Sequence, residues 1–393
     1  MFGAFGGDEA QAFAESMAEF TKRTGIKVEY SNSTDFTTLI KTKVRSGDTP
    51  DIALFPQPGG LLELAAEKKI QPIDTFLDYD KIDSTLVPGL LDSARYNGRV
   101  YGAPMRLTVK SIIWYPVSYK ELGLPTETRS IQELATVTDQ IKAKGVAPWC
   151  IGFDAGNATG WVGTDWIEEL VLRMYGPDVY DKWTRHQIPF NDERIIKAFE
   201  EFRKIALTEG NTYGGAQGML ATKFGNAMDP AFEDKPKCYF MRQGNFVASM
   251  FPQKVKDNLD QAIGTTILPP YEGGYSGQPV LGGADLAALF NGDDPDAIEV
   301  MKFMTSDEFG KEWAKVGGWL SAHKSFEPSH YVNDTTRRIA EMATSASVFR
   351  FDGSDLMPNA VGGGSFWRGM VDFVSGTKTA EQVATEIENS WPK

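Results

Sequence analysis

Residues 97–125, NGRVYGAPMRLTVKSIIWYPVSYKELGLP, read as a bridge between two parts of the chain that differ in character. Gly98 and Gly102 flank a short β-prone run, Arg99 to Tyr101, and Pro104 forces extended geometry on its neighbours. Leu107 to Tyr115 is rich in β-branched and aromatic residues and long enough for a full strand. Entered from a turn and left through Pro116, such a strand carries the chain out of one sheet and into another, which predicts a hinge.

A chain of 393 residues exceeds what one hydrophobic core usually supports, so two domains are expected. No apolar run approaches the roughly 18 to 20 residues that span a bilayer. Forty Lys and Arg against 53 Asp and Glu give a net charge of −13, which repels polyphosphate and argues against a nucleic-acid partner. Three His, with no metal-ligand spacing around them, and two Cys argue against a catalytic metal, and no cofactor is expected. Cys150 and Cys238 each sit beside aromatic, β-prone residues, and their spacing alone leaves two buried thiols and a disulfide equally open. Any export signal is expected to have been removed ahead of Met1.

Before the bridge the chain repeats strand, turn, helix. FGAFGG leads into a helix with apolar face Ala12, Phe13, Met17 and Phe20, Ile26 to Tyr30 alternates as a second strand, and DTPDIALF forms a third. Such βαβ repeats predict a largely parallel sheet with helices on both faces. Ligands of these sheets lie at the carboxyl ends of the strands, here the turns Gly6 to Glu9, Asn32 to Phe36 and Pro56 to Gly60. The first turn lacks the GxGxxG order of a dinucleotide site.

After the bridge the α/β habit returns from Ile131 to Pro270. DAGNATGWVGTDWIEELVLRMYG is expected to place Trp161 in a loop and to open a helix near Thr164, with Asp165 and Trp166 in its first turn. Tryptophans beside polar loop residues suit a sugar, whose apolar ring face stacks on the indole while side-chain dipoles take its hydroxyls; the plain alternative is that Trp166 enters the core. PVLGGADLAALF breaks at its glycines and reads as a second crossing, and GGWLSAHKS, with Trp319, as a third. Asp285 stands among apolar residues and needs a partner or a ligand.

Four segments in order give the chain a family resemblance: EFTKRTGIKVEY with KVRSGDTPDIALF, RYNGRVYGAPM with IIWY, MRQGNF, and LMPNAVGGGSFWRGMVDFVSGTKTAEQVATEIENSW. The whole chain resembles the extracellular solute-binding proteins of ATP-binding-cassette (ABC) sugar importers, in the group of maltose-binding protein, and within it the α-glucoside-binding proteins. The resemblance implies an α/β, two-lobed periplasmic-binding-protein fold, each lobe a largely parallel sheet flanked by helices, joined by hinge strands. The lobes are expected at 1–108 with 284–322 and at 109–283 with 323–393, the C-terminal helices packing across both and a ligand cleft between them. It also implies a Cys150–Cys238 disulfide, a small carbohydrate ligand, membrane permease subunits as partners, a monomer, and a place in the periplasm or at the cell-envelope exterior.

By the same resemblance Trp367 falls on a sugar-stacking tryptophan, Asp8 and Glu9 on a polar first turn, and Phe246 where maltose-binding protein has another stacking tryptophan. Two departures stand out: Gln57 is the polar group of a turn that is charged in that protein, and Arg106 and Lys110 lie near a position where it has glutamate. The ligand-binding candidates are therefore Asp8, Glu9, Asp35, Gln57, Arg106, Lys110, Trp161, Asp165, Asn245, Phe246, Asp285, Trp319, Arg350, Asp355 and Trp367. Several have plain alternatives: Asp35 as a helix cap, Glu9 as a helix-start charge, Asp355 as a turn residue, and an Arg350–Asp352 pair. The expected function is capture of an α-glucoside or disaccharide by hinge closure and its delivery to an importer, without catalysis. The alternatives are an anionic sugar held by Arg106 and Lys110, and a glycoside hydrolase built on paired carboxylates.

Overall fold

The computed structural model describes residues 1–392, which form two compact units, Met1–Thr108 with Gly283–Ala340 and Val109–Gly282 with Glu341 onward. The first and second passages between units fall at 108/109, inside the bridge, and between Gly282 and Gly283. The third falls at 340/341, so residues 323–340, expected in the second unit, pack with the first. Ser321 N–H donates to the Tyr331 hydroxyl at 3.1 Å, and Trp319 packs against Trp313, Phe309 and Phe326, which ties this segment to its own unit.

In the first unit, Phe2–Gly3 pairs in parallel with Ser31–Asn32 and with Ile52–Phe55. The connecting helices, Gly7–Thr24 and Phe36–Ser46, each end at a glycine in the left-handed region, Gly25 (φ 80°) and Gly47 (φ 78°), as a helix C-terminus favours. Helix Gly7–Thr24 buries Ala12, Phe13, Met17 and Phe20, the face its spacing predicts. The second strand is shorter and later than the expected Ile26 to Tyr30: the Tyr30 hydroxyl exchanges hydrogen bonds with the Phe5 backbone, so its side chain rather than a ladder fixes this stretch.

The second unit holds a four-stranded sheet in the order Ile263–Ile267, Ile112–Pro116, Cys238–Arg242, Ala147–Trp149. Its first two pairings are antiparallel and only the last is parallel, so this sheet is mixed where a largely parallel one was expected. The strand Pro279–Leu289 explains the same feature in the first unit, where its Leu286–Leu289 half runs antiparallel to Ile52–Phe55. Parallel pairing follows from a helix returning the chain to the same sheet end; Ile112–Pro116 and Pro279–Leu289 enter at passages between units and are free of that rule.

Two of the crossing segments differ from expectation. Leu107 to Tyr115 is not one strand but the end of Ala103–Val109 and most of Ile112–Pro116. The break at Lys110 and Ser111 arises because the Lys110 N–H donates to Leu281 O and the Ser111 hydroxyl accepts from Leu281 N–H, both at 2.8 Å. Conversely, Pro279–Leu289 runs without a break through its glycines. Around the second sheet pack helices including Ile131–Ala143, Trp161–Tyr175, Glu193–Phe202 and Ala380–Asn389, over a core with Trp149, Trp166, Phe202, Phe366 and Phe373. Cys150 and Cys238 are joined by a disulfide, with Cα atoms 5.4 Å apart.

Candidate functional site

Each unit carries a buried ion cluster next to the first passage of the chain. In the first unit the centre is Arg106. Its Nη1 donates to Glu9 Oε1 at 2.6 Å and its Nε donates to Asp285. The guanidinium also lies over the rings of Phe5, at 4.5 Å, and Trp313, at 5.4 Å. Burial works against the charged form, yet Asp285 and Glu9 hold Arg106 above its usual range. The local sequence builds this arrangement: Glu9 stands in the first turn of helix Gly7–Thr24, Arg106 in an all-buried strand, and Asp285 in the apolar run that required a partner.

Other candidates of this unit lie apart in burial and role. Asp8 is exposed in the first turn, and Asp35 occupies the N-cap position of Phe36–Ser46 without a side-chain cap bond. Gln57 is half-buried and accepts from the Thr37 hydroxyl at 3.1 Å. Trp319 is 1% exposed inside the aromatic cluster with Trp313, so this tryptophan is a core residue and not a face open to a ligand.

In the second unit the centre is Lys110. Its Nζ donates to Asp165 Oδ1 at 3.0 Å and to Asp352. Asp352 Oδ1 accepts from the Ser354 hydroxyl at 2.8 Å and from Asp355 N–H at 3.0 Å. Glu168 accepts from the backbone N–H groups of Gly353 and Ser354 at 2.8 and 3.0 Å. Behind Asp165 stands Arg242, 3.5 Å from its Oδ2, with the guanidinium over the Trp166 ring. All these charged groups are buried.

The electrostatics follow from that burial. Burial pushes the Asp165 carboxyl up to about 7 against the pull of Lys110. Burial and the neighbouring Asp352 and Asp165 charges likewise raise Glu168. Burial opposes ionisation of Asp352 too, but Lys110 and hydrogen bonds from Asp165 and Glu168 leave it below the usual carboxylate range. Lys110 is held well above its usual range by Asp165 and Asp352 despite burial.

Beside Lys110 lies an aromatic group. The Trp161 ring is 5.3 Å from Lys110 Nζ, 5.1 Å from the Phe224 ring and 6.0 Å from the Phe246 ring. Trp161 and Phe246 are both half-buried. Trp161 is the first residue of its helix rather than a loop residue, because Gly160 (φ 118°) turns the chain against the Trp367 backbone, where a Cβ would meet Trp367 O at 2.1 Å. Trp367 is itself mostly buried, and its indole N–H finds no partner among the described residues. Asn245 Oδ1 accepts from Val109 N–H at 2.7 Å, next to the passage.

Two expectations change, and Trp166 takes the plain alternative of entering the core. Asp165 is fully buried between Lys110 and Arg242 and presents no face to a ligand. Arg350 does not pair with Asp352: it forms two bonds, of 2.7 and 2.9 Å, with Asp181, while Asp352 turns to Lys110. Trp166 is a core residue with 0% exposure. Glu168 and Phe224 are absent from the candidates that the sequence offers, and Asp352 stands among them only as a partner of Arg350. A signal for the first lay in DWIEELVLRMY, where acids at 165, 168 and 169 and Arg173 interrupt a helix that is otherwise apolar on every face.

A family model described as bacterial extracellular solute-binding protein matches residues 6–311. The chain is 40% identical over 394 residues to the osmoprotective compounds-binding protein GgtB of Synechocystis sp., covering 100% of this chain and 92% of that protein. It is 34% identical over 399 residues to the alpha-glucosides-binding periplasmic protein AglE of Rhizobium meliloti, covering 100% and 86%. In structure it is similar to a chitin oligosaccharide binding protein, with a TM-score of 0.80 at 18% identity over 98% of this chain and 97% of that one.

Proposed function

The chain belongs to the bacterial extracellular solute-binding protein family, a sugar-binding component of ABC importers, and we propose that it captures a small neutral carbohydrate of the α-glucoside class. The observation that carries the neutral assignment is the pairing of Arg106 with Glu9 and Asp285, and of Lys110 with Asp165 and Asp352. Both cations that an anionic sugar would need are already engaged, and stripping either from its carboxylates leaves buried charge uncompensated. The half-buried Trp161 and Phe246 supply aromatic faces for the C–H side of a pyranose, and Glu9 and Asp355 supply acceptors for hydroxyls.

Sugar binding is expected to shift the population toward a closed state, which then engages a membrane permease. Small-angle X-ray scattering reads closure as a smaller radius of gyration with sugar. The assignment itself is tested by calorimetric titration with methyl α-glucoside, sucrose, trehalose and maltose beside glucuronic acid. Saturable heat with a neutral glucoside supports it, and preference for the acid overturns it. Nitrophenyl glucosides incubated with the protein test the hydrolase alternative, since turnover contradicts a binding role alone.

A further inference from the structure

One carboxylate oxygen from each of Asp165, Glu168 and Asp352 lies within 4.8 Å of the other two, the spread of ligands around a single cation. Oxygens bound to one calcium ion at about 2.3–2.6 Å are at most about 5 Å apart. Here the cation is supplied by the chain: Lys110 Nζ donates to both Asp165 and Asp352, and the third carboxylate is fixed by the Gly353 and Ser354 amides. We propose that the Lys110 ammonium is the built-in cation of this three-carboxylate cage, and that through it Lys110 acts as a positioning residue for Trp161 and Asp355.

The positioning runs along two short paths. Asp165 is four residues after Trp161 on one helix, so fixing Asp165 fixes the first turn that carries the indole, with Lys110 Nζ also 5.3 Å from that ring. Asp352 spans the turn that follows it, accepting from Ser354 Oγ and Asp355 N–H, so fixing Asp352 fixes the short backbone turn that carries Asp355. One ammonium thus aligns two segments almost 190 positions apart in sequence. Removing it leaves Asp165 and Asp352 without the cation they share, beside the buried Glu168, which is costly unless another cation enters. A calcium ion has the charge and the oxygen preference to do so.

The positioning role rests on the sugar-binding assignment, while the cage does not, and the experiment separates them. Thermal unfolding of the whole chain is followed with EDTA and with millimolar calcium chloride, for the native protein and for Lys110→Met. The native midpoint is expected to stay within about 2 °C between the two conditions, whereas Lys110→Met unfolds earlier in EDTA and regains stability with calcium. In calorimetry with trehalose and sucrose, Lys110→Met is expected to bind at least tenfold more weakly in EDTA, and calcium to restore part of the loss. If Lys110→Met does not fold, Lys110→Gln, whose amide keeps a hydrogen-bond donor without the charge, is read in the same way. Indifference of the folded variant to calcium, or failure of both variants to fold at any calcium concentration, overturns the cage. Unchanged sugar affinity in a calcium-responsive variant overturns the positioning role. A native protein that binds neither sugar counts against the proposed function alone, because the calcium response is read without sugar.

Discussion

Arg106 Nη1 lies 2.6 Å from Glu9 Oε1, and the same guanidinium reaches Asp285, 179 positions further along the chain. This joins the first helix, the bridge strand and the second crossing strand inside the first unit. Removing the cation leaves two largely buried carboxylates facing each other, so Arg106→Met is expected to cost about 3–5 kcal/mol of stability. Arg106→Lys keeps the charge but loses the fork geometry and falls between. Urea unfolding measures both; a loss below about 1 kcal/mol for Arg106→Met means that the cluster is not a structural tie.

Trp161 is half-buried against Phe224 and Phe246, whereas Trp166 is fully enclosed. Trp161→Ala is expected to weaken sugar binding by about 1–3 kcal/mol, roughly 5- to 150-fold in Kd, with a smaller change in stability. Trp166→Ala is expected to show the reverse, losing about 3–5 kcal/mol of stability through the cavity it opens. Calorimetry and urea unfolding on the two variants separate a ligand platform from a core residue.

The disulfide Cys150–Cys238 closes a sequence separation of 88 residues across the strand edge of the second unit. Loop closure of that size corresponds to about 4.6 kcal/mol in the chain-entropy model. The double variant Cys150→Ser, Cys238→Ser is expected to unfold at lower urea by about 2–5 kcal/mol, with sugar affinity retained if it is assayed below its transition.

His323 pairs with the Thr85 hydroxyl at 2.8 Å, and burial lowers its pKa from the ordinary value, with Asp307 opposing. Below about pH 6.5 the unfolded chain therefore binds a proton that the native state resists. The stability from neutral His323 is complete above that pH and is lost as pH falls through the lower folded-state value. Unfolding free energy should drop between pH 7 and pH 5 more steeply for the native protein than for His323→Gln, by at most about 1.4 kcal/mol per pH unit. Identical pH profiles contradict this account of His323.

Much of the frame was legible in local pattern. The period of Ala12, Phe13, Met17 and Phe20 gave the first helix its buried face, and the isolated Asp285 announced that it needed a partner. The break at Lys110 was not legible, because it is made by Leu281, which pairs with the bridge from 170 positions away. Trp319 and Asp165 illustrate the same limit at the site: an aromatic or a carboxylate in a polar stretch reads as a ligand group until long-range packing encloses it. Arg350 shows the converse, since its nearest acid in sequence, Asp352, is claimed by Lys110 and leaves Arg350 to Asp181.

The central claim is that the two ion clusters are closed on themselves and leave a neutral sugar as the ligand. Titration calorimetry of one protein sample against trehalose, sucrose and glucuronic acid tests it most directly. The account predicts saturable binding of at least one neutral glucoside, with the acid weaker by tenfold or more. Tight binding of glucuronic acid with no heat from any neutral sugar would contradict it.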